Sequence, residues 1–473
     1  MNIISKFKQD HWPVFLVSLL SAIVNLFLPI ILVRLLTPAD IGLYKVFFLY
    51  AQSIVFITLA GGPLYSVYYF VGKKENTDQY LSHAWILNFG ISAFFTLIGF
   101  IFINPISAHL LLSKELTFLL ILSSLTSGPS GFYGEYLVAK GSRITGSIFN
   151  SGFEILKAIV ILLLVYITRD VKYALYGFSI LFTIKLALSL ILSNKAKLIN
   201  FFVDRKIMNE VIKYCTPIST AGLFSFIVEK IDMIILSSRL DPTHFAFYSM
   251  GSLVVPPLLI LESSVQKVLV PNLSLEYHRD NFKQMIHHYK KAQNDIALIM
   301  IPAVFGLLIF NRPIIEILFT EKYMESAIFL KIYAFTYLTY IIPHDSIPRA
   351  SGNTHWVLKL YLIITPLSIG TVYFCAGKFG AVGALTSSIV FMYFPKIPGL
   401  MYSSKITKHS ILDLIALRSF TYYFVINAIL TIICFLTKSL FPSEKIWFLV
   451  LGPLYVITYF TIFHFTKQMK KGY

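Results

Sequence analysis

The sequence predicts an all-α, polytopic membrane protein of about 14 transmembrane helices, and three observations support this fold class. First, 56% of the 473 residues are hydrophobic and only 13% are charged, against about a quarter charged in soluble domains. Second, apolar stretches of about 20 residues follow one another along the whole chain, and each is long enough to cross the roughly 30 Å hydrocarbon layer as a helix. Third, a segment near the N-terminus recurs 204 residues later. These properties exclude a soluble globular enzyme.

The first apolar stretch, 12–36, is interpreted as a membrane span. It is too long for the core of a cleaved signal sequence, and no clean small-residue cleavage site follows it. The segments 116–140 and 311–325 are the least regular, so a total of twelve spans stays open. The predicted spans cover residues 12–36, 43–71, 81–103, 116–138, 144–167, 173–193, 214–238, 245–270, 293–310, 327–347, 356–376, 380–402, 415–437 and 446–466.

The distribution of Lys and Arg predicts the orientation of these spans. An even number of spans puts both termini on one side, and the connections on that side carry more than twice as many Lys and Arg as the opposite connections. The positive-inside rule therefore predicts that both termini are cytoplasmic. This orientation explains most of the net charge of +17, so no nucleic-acid partner is expected. The basic connections are the N-terminus, the loops near 73, 140, 195–213, 279–291, 349–359 and 405–418, and the C-terminus.

An internal repeat predicts two lobes. Residues 12–44 align with residues 216–248 without a gap, and eleven of 33 positions are identical, including two prolines and a tyrosine. Chance similarity between apolar helices is the alternative. Because six predicted spans separate the copies, a pseudo-twofold axis along the membrane normal should relate them, with a binding cavity at their interface. The predicted domains are an N-terminal six-helix lobe at 1–194, a cytoplasmic linker at 195–213, a C-terminal six-helix lobe at 214–403 and two additional helices at 404–473.

Three motifs carry a resemblance to a known family. The segment 35–44 (LLTPADIGLY) resembles the opening signature of the Wzx-type polysaccharide flippases of the multidrug/oligosaccharidyl-lipid/polysaccharide exporter superfamily. The segment 229–248 (EKID, then LDPTHFAFY) resembles its counterpart at the seventh helix, and 379–385 (FGAVGAL) resembles the family's late glycine-rich helix start. The second copy has Ala246 where the first has Gly42, which is a departure from the usual glycine at that turn.

Basic residues within the predicted spans are candidate ligands for an anionic substrate. Each charge near the bilayer centre costs about 2.5–3.5 kcal/mol on insertion scales, so it requires a wet or paired environment. Lys185 and Lys267 have no acid at helical spacing, so a role in binding an anionic ligand is slightly favoured over a structural role for these two residues. Lys157 can pair with Glu154 three residues away, and snorkelling of Lys45 near a span end is equally plausible. The predicted cationic site comprises Lys185, Lys267, Lys230, Lys157 and Lys45.

Acidic residues within the predicted spans are candidates for coupling to an ion gradient. Glu229 and Asp232 are spaced i, i+3 with like charge, so at least one should be hard to ionise unless a cation lies close. Lys230 lies about 100° around the helix from Glu229, so it cannot be assumed to face the same partner. The predicted coupling and cavity acids are Glu229, Asp232, Glu154, Glu262 and Glu135.

Two glycine-proline segments interrupt predicted spans. They are 61–63 (GGP) in the second span and 128–131 (GPSG) in the fourth. Such interruptions free backbone polar groups, which water or neighbouring protein groups must satisfy. A kink that lines the cavity is one interpretation, and an ordinary packing bend, which is more common, is the other.

The sequence lacks the motifs that mark nucleotide-binding proteins, serine hydrolases and cysteine-based metal sites. The chain has no Walker-type phosphate loop, no G-x-S-x-G motif and no dinucleotide-binding glycine motif. Its three cysteines are far apart, so neither a disulfide framework nor a thiolate metal site is predicted. We therefore expect a transporter that is not an enzyme and needs no cofactor, with Na⁺ or H⁺ as candidate coupling ions.

The resemblance implies a flippase of the bacterial inner membrane. Its substrate would be an undecaprenyl-diphosphate-linked oligosaccharide, and its other partners would be membrane lipids and, in the same pathway, a polysaccharide polymerase and a chain-length regulator. The last two spans could form a groove for the prenyl tail. A peptidoglycan-precursor flippase and a cation-coupled multidrug exporter are the alternatives within the superfamily. A membrane glycosyltransferase is disfavoured because the connections are too short for a catalytic loop.

Overall fold

The computed structural model describes residues 11–72, 77–200, 202–252 and 254–469. These residues are almost entirely helical, and they contain no β-strand. The predicted all-α class is therefore confirmed. By its internal contacts the chain divides into two compact units, Met1–Ala246 and Phe247–Tyr473. The predicted boundaries of the two six-helix lobes and the linker stay a prediction.

The first unit contains nine helices and the start of a tenth within its described residues. Thr37, Ser113, Asp170 and Asp204 cap four of these helices through their side-chain oxygens. The helices are α1 (His11–Leu35), α2 (Pro38–Ile57), α3 (Gly61–Gly72), α4 (Thr77–Ile101), α5 (Ile103–Leu110), α6 (Lys114–Ala139), α7 (Arg143–Thr168), α8 (Val171–Lys195), α9 (Arg205–Ser237) and α10 (Pro242–Gly251).

The second unit contains the remaining helices. Its buried core joins α12 to the last two long helices through aromatic residues, among them Tyr337, Trp447 and Tyr459. The helices are α11 (Pro256–His278), α12 (Phe282–Ile309), α13 (Asn311–Phe319), α14 (Ser326–Tyr333), α15 (Thr336–Thr339), α16 (Ser346–Ala350), α17 (Thr354–Tyr393), α18 (Lys396–Thr407), α19 (Ile411–Leu414), α20 (Leu417–Leu436) and α21 (Glu444–Met469), with short 3-10 turns at Glu321–Tyr323 and Lys438–Leu440.

The described helices include eight that are long and apolar enough to cross a membrane, or ten if each of two bent pairs forms one span. One of the eight, His355–Thr407, contains two of the predicted spans. Its backbone is kinked at Gly380, the first residue of the second of these spans, where φ is 63° and ψ is −152°. This combination of φ and ψ is essentially restricted to glycine, so Gly380 permits the kink. The total of fourteen spans stays a prediction.

The motif LLTPADIGLY begins α2 through a capping box. The Thr37 hydroxyl accepts a hydrogen bond from the Asp40 backbone N–H at 3.2 Å, and Asp40 accepts from the Thr37 backbone N–H at 3.3 Å. One turn later, Gly42 packs against the corresponding segment of the second copy. A Cβ atom at Gly42 would lie 1.8 Å from the Pro242 carbonyl oxygen. The close approach requires glycine in the first copy, whereas Ala246 fits at the matching position in the second.

The GGP interruption separates α2 from α3. Pro63 has no N–H to donate to the Leu59 carbonyl, and Leu59 itself has φ of 60°. The Ser219 hydroxyl of α9 donates to that carbonyl at 2.8 Å and accepts from the Gly62 N–H at 3.1 Å. The Asn88 side chain donates to the neighbouring Ala60 carbonyl at 2.8 Å. This interruption is thus a packing bend whose freed backbone groups are satisfied by adjacent helices.

Candidate functional site

Lys185 is a buried cation within the apolar part of the first unit. It lies on α8, and only 5% of its surface is exposed. Its ammonium lies 5.4 Å from the centroid of the Phe182 ring, 5.6 Å from Phe153 and 5.9 Å from Phe149. Among the described residues, no carboxylate oxygen lies within 4 Å of its Nζ. The negative faces of the three rings therefore provide the close electrostatic contacts of this charge.

A neutralised pair lies near Lys185. Lys157, on α7, is buried and forms a salt bridge with Glu154 one turn earlier, as the i, i+3 spacing allows. The Glu154 side chain is 37% exposed. Lys157 also lies 6.0 Å from the Phe48 ring of α2. The geometry therefore supports a structural role for this pair, in which each residue neutralises the other. The Glu154 carboxylate is the part of the pair that a ligand or an ion can reach.

Glu135 is tied to two other helices. Its carboxylate accepts a hydrogen bond from the Tyr68 hydroxyl of α3 at 2.5 Å and another from the Asn150 side-chain amide of α7 at 2.9 Å. Gly134 permits the second contact, because a Cβ there would lie 2.5 Å from the Asn150 amide. Both Glu135 and Glu154 are close enough to act electrostatically on Lys185.

Two further predicted cations approach each other where α2 meets α9. Lys45 and Lys230 are close enough to repel one another. Lys230 forms a salt bridge with Glu229 at 3.1 Å, so these neighbours contact each other directly. A long lysine side chain can span the 100° between adjacent positions. The Glu229 side chain is 52% exposed and Asp232 is 3% exposed, so the two acids occupy different environments.

The second unit contains its own polar cluster, built on α11, α16 and α18. The ammonium of Lys396 lies 3.2 Å from His344 Nδ1, and the Ser346 hydroxyl donates to Gln266 at 2.7 Å. Glu262 interacts with Gln266 and Lys396. Because a lysine ammonium only donates, His344 must accept at Nδ1 while Lys396 is charged. The pair can then hold only one positive charge while this contact persists.

Lys267 is on the exposed surface of α11, and the described residues place no carboxylate within 4 Å of it. A cavity of about 660 Å³ opens elsewhere in the second unit, between the end of α12 and the last two long helices. Its walls combine apolar side chains with charged residues of both signs, namely Arg312, Glu325, Lys331, Lys438 and Glu444. No group of three or more His, Cys, Asp or Glu in the described part of the chain could hold a metal ion.

The predicted residues thus fall into separate groups. Lys185, Lys157, Glu154 and Glu135 lie close together, Lys45 and Lys230 form a second group, and Glu262 belongs to the second unit. The sequence analysis missed the aromatic shell of Lys185 and the His344 contact. Phe182 lies one helical turn from Lys185 and could have been noticed, whereas the other rings come from a different helix.

Comparison with known proteins supports the family resemblance. A family model described as "Polysaccharide biosynthesis protein" matches residues 31–328, which is more than half of the chain. No curated protein matches the sequence. The fold is similar to that of a lipid II flippase MurJ in an inward closed conformation, with a TM-score of 0.67, 18% identity, and coverage of 94% of this chain and 99% of that one.

Two transporters of the MOP superfamily have similar folds. An inward-facing multidrug resistance MATE family transporter gives a TM-score of 0.60 at 15% identity over 82% of this chain and 96% of its own. A MOP superfamily transporter from Pyrococcus furiosus, described as having a binding pocket of reverse polarity, gives a TM-score of 0.52 at 14% identity. The match covers 84% of this chain and 95% of that one. The chain therefore belongs to the polysaccharide biosynthesis protein family and has the membrane transporter fold shared by MurJ and MATE proteins.

Proposed function

We propose that this protein is a flippase that moves undecaprenyl-diphosphate-linked oligosaccharide repeat units across the bacterial inner membrane for O-antigen, capsule or related surface polysaccharide synthesis. Transport proceeds by alternating access and is driven by an ion gradient or the membrane potential, without catalysis. The family supports a role in polysaccharide synthesis, and the fold supports movement of a membrane substrate.

The single observation that carries this proposal is the environment of Lys185. A positive charge inside the apolar part of a membrane protein is costly, and a buried lysine with a carboxylate partner would have a structural explanation. Lys185 has three aromatic rings around it and no carboxylate within 4 Å among the described residues. A diphosphate would supply the missing negative charge through charge-assisted hydrogen bonds.

The surrounding residues fit a diphosphate-sugar head group. Because Lys157 is paired with Glu154, Lys185 is the lysine of this group that has no carboxylate within 4 Å among the described residues. Phe149, Phe153 and Phe182 cover the ammonium, so at least one ring must move when a phosphate oxygen binds. The same rings offer apolar faces for the C–H groups of a sugar. The prenyl tail can remain in lipid, because only the charged head group must avoid hydrocarbon.

The energy source and the cellular context complete the proposal. Both termini lie in the cytoplasm, and the exposed acids Glu154 and Glu229 are the proposed coupling groups for Na⁺ or H⁺. A polysaccharide polymerase and a chain-length regulator use the product on the outer side. A peptidoglycan precursor is the competing substrate, because the fold is also that of the lipid II flippase MurJ. The 18% identity to MurJ supports the shared fold only and does not favour that substrate.

The proposal is tested by replacing Lys185 with Met in cells that depend on this protein for surface glycan. We expect lipid-linked oligosaccharide to accumulate in the inner leaflet and surface glycan to fall at least tenfold, while the protein level in the membrane is unchanged. Lys172→Met is the matched control, because Lys172 is an exposed lysine on the same helix. Normal surface glycan with Lys185→Met would contradict the proposal.

A further inference from the structure

A second cavity in the second unit is distinctly basic. It has a volume of about 550 Å³ and lies between α12 and the segment that joins α18 to α20. Both walls belong to connections that the Lys and Arg distribution assigns to the cytoplasmic side. The basic residues that line it are His287, Lys290, Lys291 and Arg418.

The lysine and arginine side chains of this cavity outnumber the acids beside it. No carboxylate of the described residues lies within 4 Å of Lys290, Lys291 or Arg418. Two acids adjoin the wall: Asp295, four residues after Lys291 on α12, and Asp413, which interacts electrostatically with Lys290. The Asp413 carboxylate accepts from the Ser410 hydroxyl at 2.7 Å and the Ser410 backbone N–H at 3.1 Å. These bonds, with weaker contributions from His409 and Lys290, hold the pKa of Asp413 below its ordinary value. Asp413 is thus engaged in its own helix cap.

The cavity is shaped by a rigid clamp. Gln293 of α12 is fully buried, donates to the Leu414 carbonyl at 2.8 Å and accepts from the Ala416 N–H at 3.0 Å. The Tyr423 hydroxyl donates to Asn294 at 2.8 Å. These three bonds fix the segment between α18 and α20 and the start of α20 against α12, so the backbone positions of the basic residues are set before a ligand binds.

Apolar surface adjoins the cations. Leu412 is 71% exposed and Leu417 is 57% exposed, and both line the cavity. We propose that this cavity binds the phosphodiester head group of an anionic phospholipid in the cytoplasmic leaflet, with an acyl chain along these leucines. Basic pockets between transmembrane helices on the cytoplasmic side are suited to such head groups. An acidic protein segment would match the charge but would not use the exposed leucines beside it.

This lipid site is independent of the proposed flippase function. It uses no residue of the Lys185 group, and it lies wholly within the second unit. A lipid held there would tether α12 and α20 at the membrane surface. Its occupancy would therefore stabilise the protein whether or not the protein transports a glycan.

The experiment measures lipid binding by the purified full chain in detergent, using native mass spectrometry with phosphatidylglycerol, and phosphatidylcholine for comparison. We expect preferential binding of phosphatidylglycerol. Each cation near a membrane surface contributes about 1 kcal/mol, which corresponds to about a fivefold change in affinity. Lys290→Gln should therefore weaken binding about fivefold, and adding Lys291→Gln and Arg418→Gln should remove the preference.

Matched controls separate this site from the general basic charge of the same side. Lys283→Gln and Lys405→Gln remove exposed lysines outside the cavity and should leave binding unchanged, while Lys290→Arg should retain it. Equal phosphatidylglycerol binding by the triple variant and the native protein would overturn the proposal. So would complete competition by inorganic phosphate, which indicates a free-anion site, or tighter binding of a poly-glutamate peptide, which indicates a protein partner.

Discussion

Replacing Ser219 with Ala tests how the interruption between α2 and α3 is stabilised. The Ser219 hydroxyl accepts from the Gly62 N–H at 3.1 Å and donates to the Leu59 carbonyl at 2.8 Å. Only 7% of Ser219 is exposed, so water has little access to these groups. Pro63 cannot replace the lost donor to Leu59. The substitution therefore leaves one backbone donor and one backbone acceptor without a partner.

The magnitude follows from these two bonds. Interhelical hydrogen bonds in membrane proteins contribute about 0.6 kcal/mol on average, whereas a buried unsatisfied group costs about 1–3 kcal/mol. The range for two groups is therefore about 1–6 kcal/mol, and we expect about 2–3 kcal/mol because the bend allows some relaxation.

The assay is the free energy of unfolding of the purified protein in mixed detergent and SDS, with helicity as the signal. Thr220→Ala is the matched control, because the Thr220 hydroxyl is exposed and, among the described residues, bonds only to the Thr216 carbonyl of its own helix, at 2.8 Å. The control should change the free energy of unfolding by less than about 0.5 kcal/mol. Equal effects of Ser219→Ala and Thr220→Ala would refute the role assigned to Ser219.

Two other substitutions test the repeated motifs. Gly42→Ala should lower the melting temperature, because the new Cβ would lie 1.8 Å from the Pro242 carbonyl oxygen and overpacking costs about 1–3 kcal/mol. Ala246→Gly should lower the melting temperature less. A larger effect of Ala246→Gly than of Gly42→Ala would contradict this explanation. Desolvation raises the pKa of Asp241, but hydrogen bonds from His244 outweigh it, so the pKa is lowered. Its stabilisation is therefore present above the unfolded value near 4 and is lost as the pH falls through the lower folded value. Asp241→Asn should weaken the dependence of the melting temperature on pH in that acidic range. An unchanged dependence would contradict the stabilising role of Asp241.

The fold class could be predicted because it depends on local properties. Apolar length and composition identify membrane helices, and Thr37 with Asp40 at i, i+3 identifies a capping box before α2. Helix bending is harder to predict from the sequence, because it depends on which residues of neighbouring helices lie against the bend. The segment 61–63 indicates an interruption, but only the structure places the Ser219 hydroxyl at the freed backbone groups.

The candidate site could be predicted only in part. The absence of an acid near Lys185 along its own helix is visible in the sequence, and so is the Glu154 and Lys157 spacing. Contacts between distant residues are not. Tyr68 and Glu135 are 67 residues apart, and His344 and Lys396 are 52 apart. Helical periodicity contains no information about such pairs, since they depend on how the helices are arranged.

The central claim is that Lys185 binds a negatively charged lipid head group. The most direct measurement compares the affinity of the purified protein for undecaprenyl diphosphate and for uncharged undecaprenol. We predict that native protein binds the diphosphate more tightly, and that Lys185→Met lowers that affinity at least tenfold without changing the binding of undecaprenol. Equal affinity of the native protein and the variant for undecaprenyl diphosphate would contradict the account.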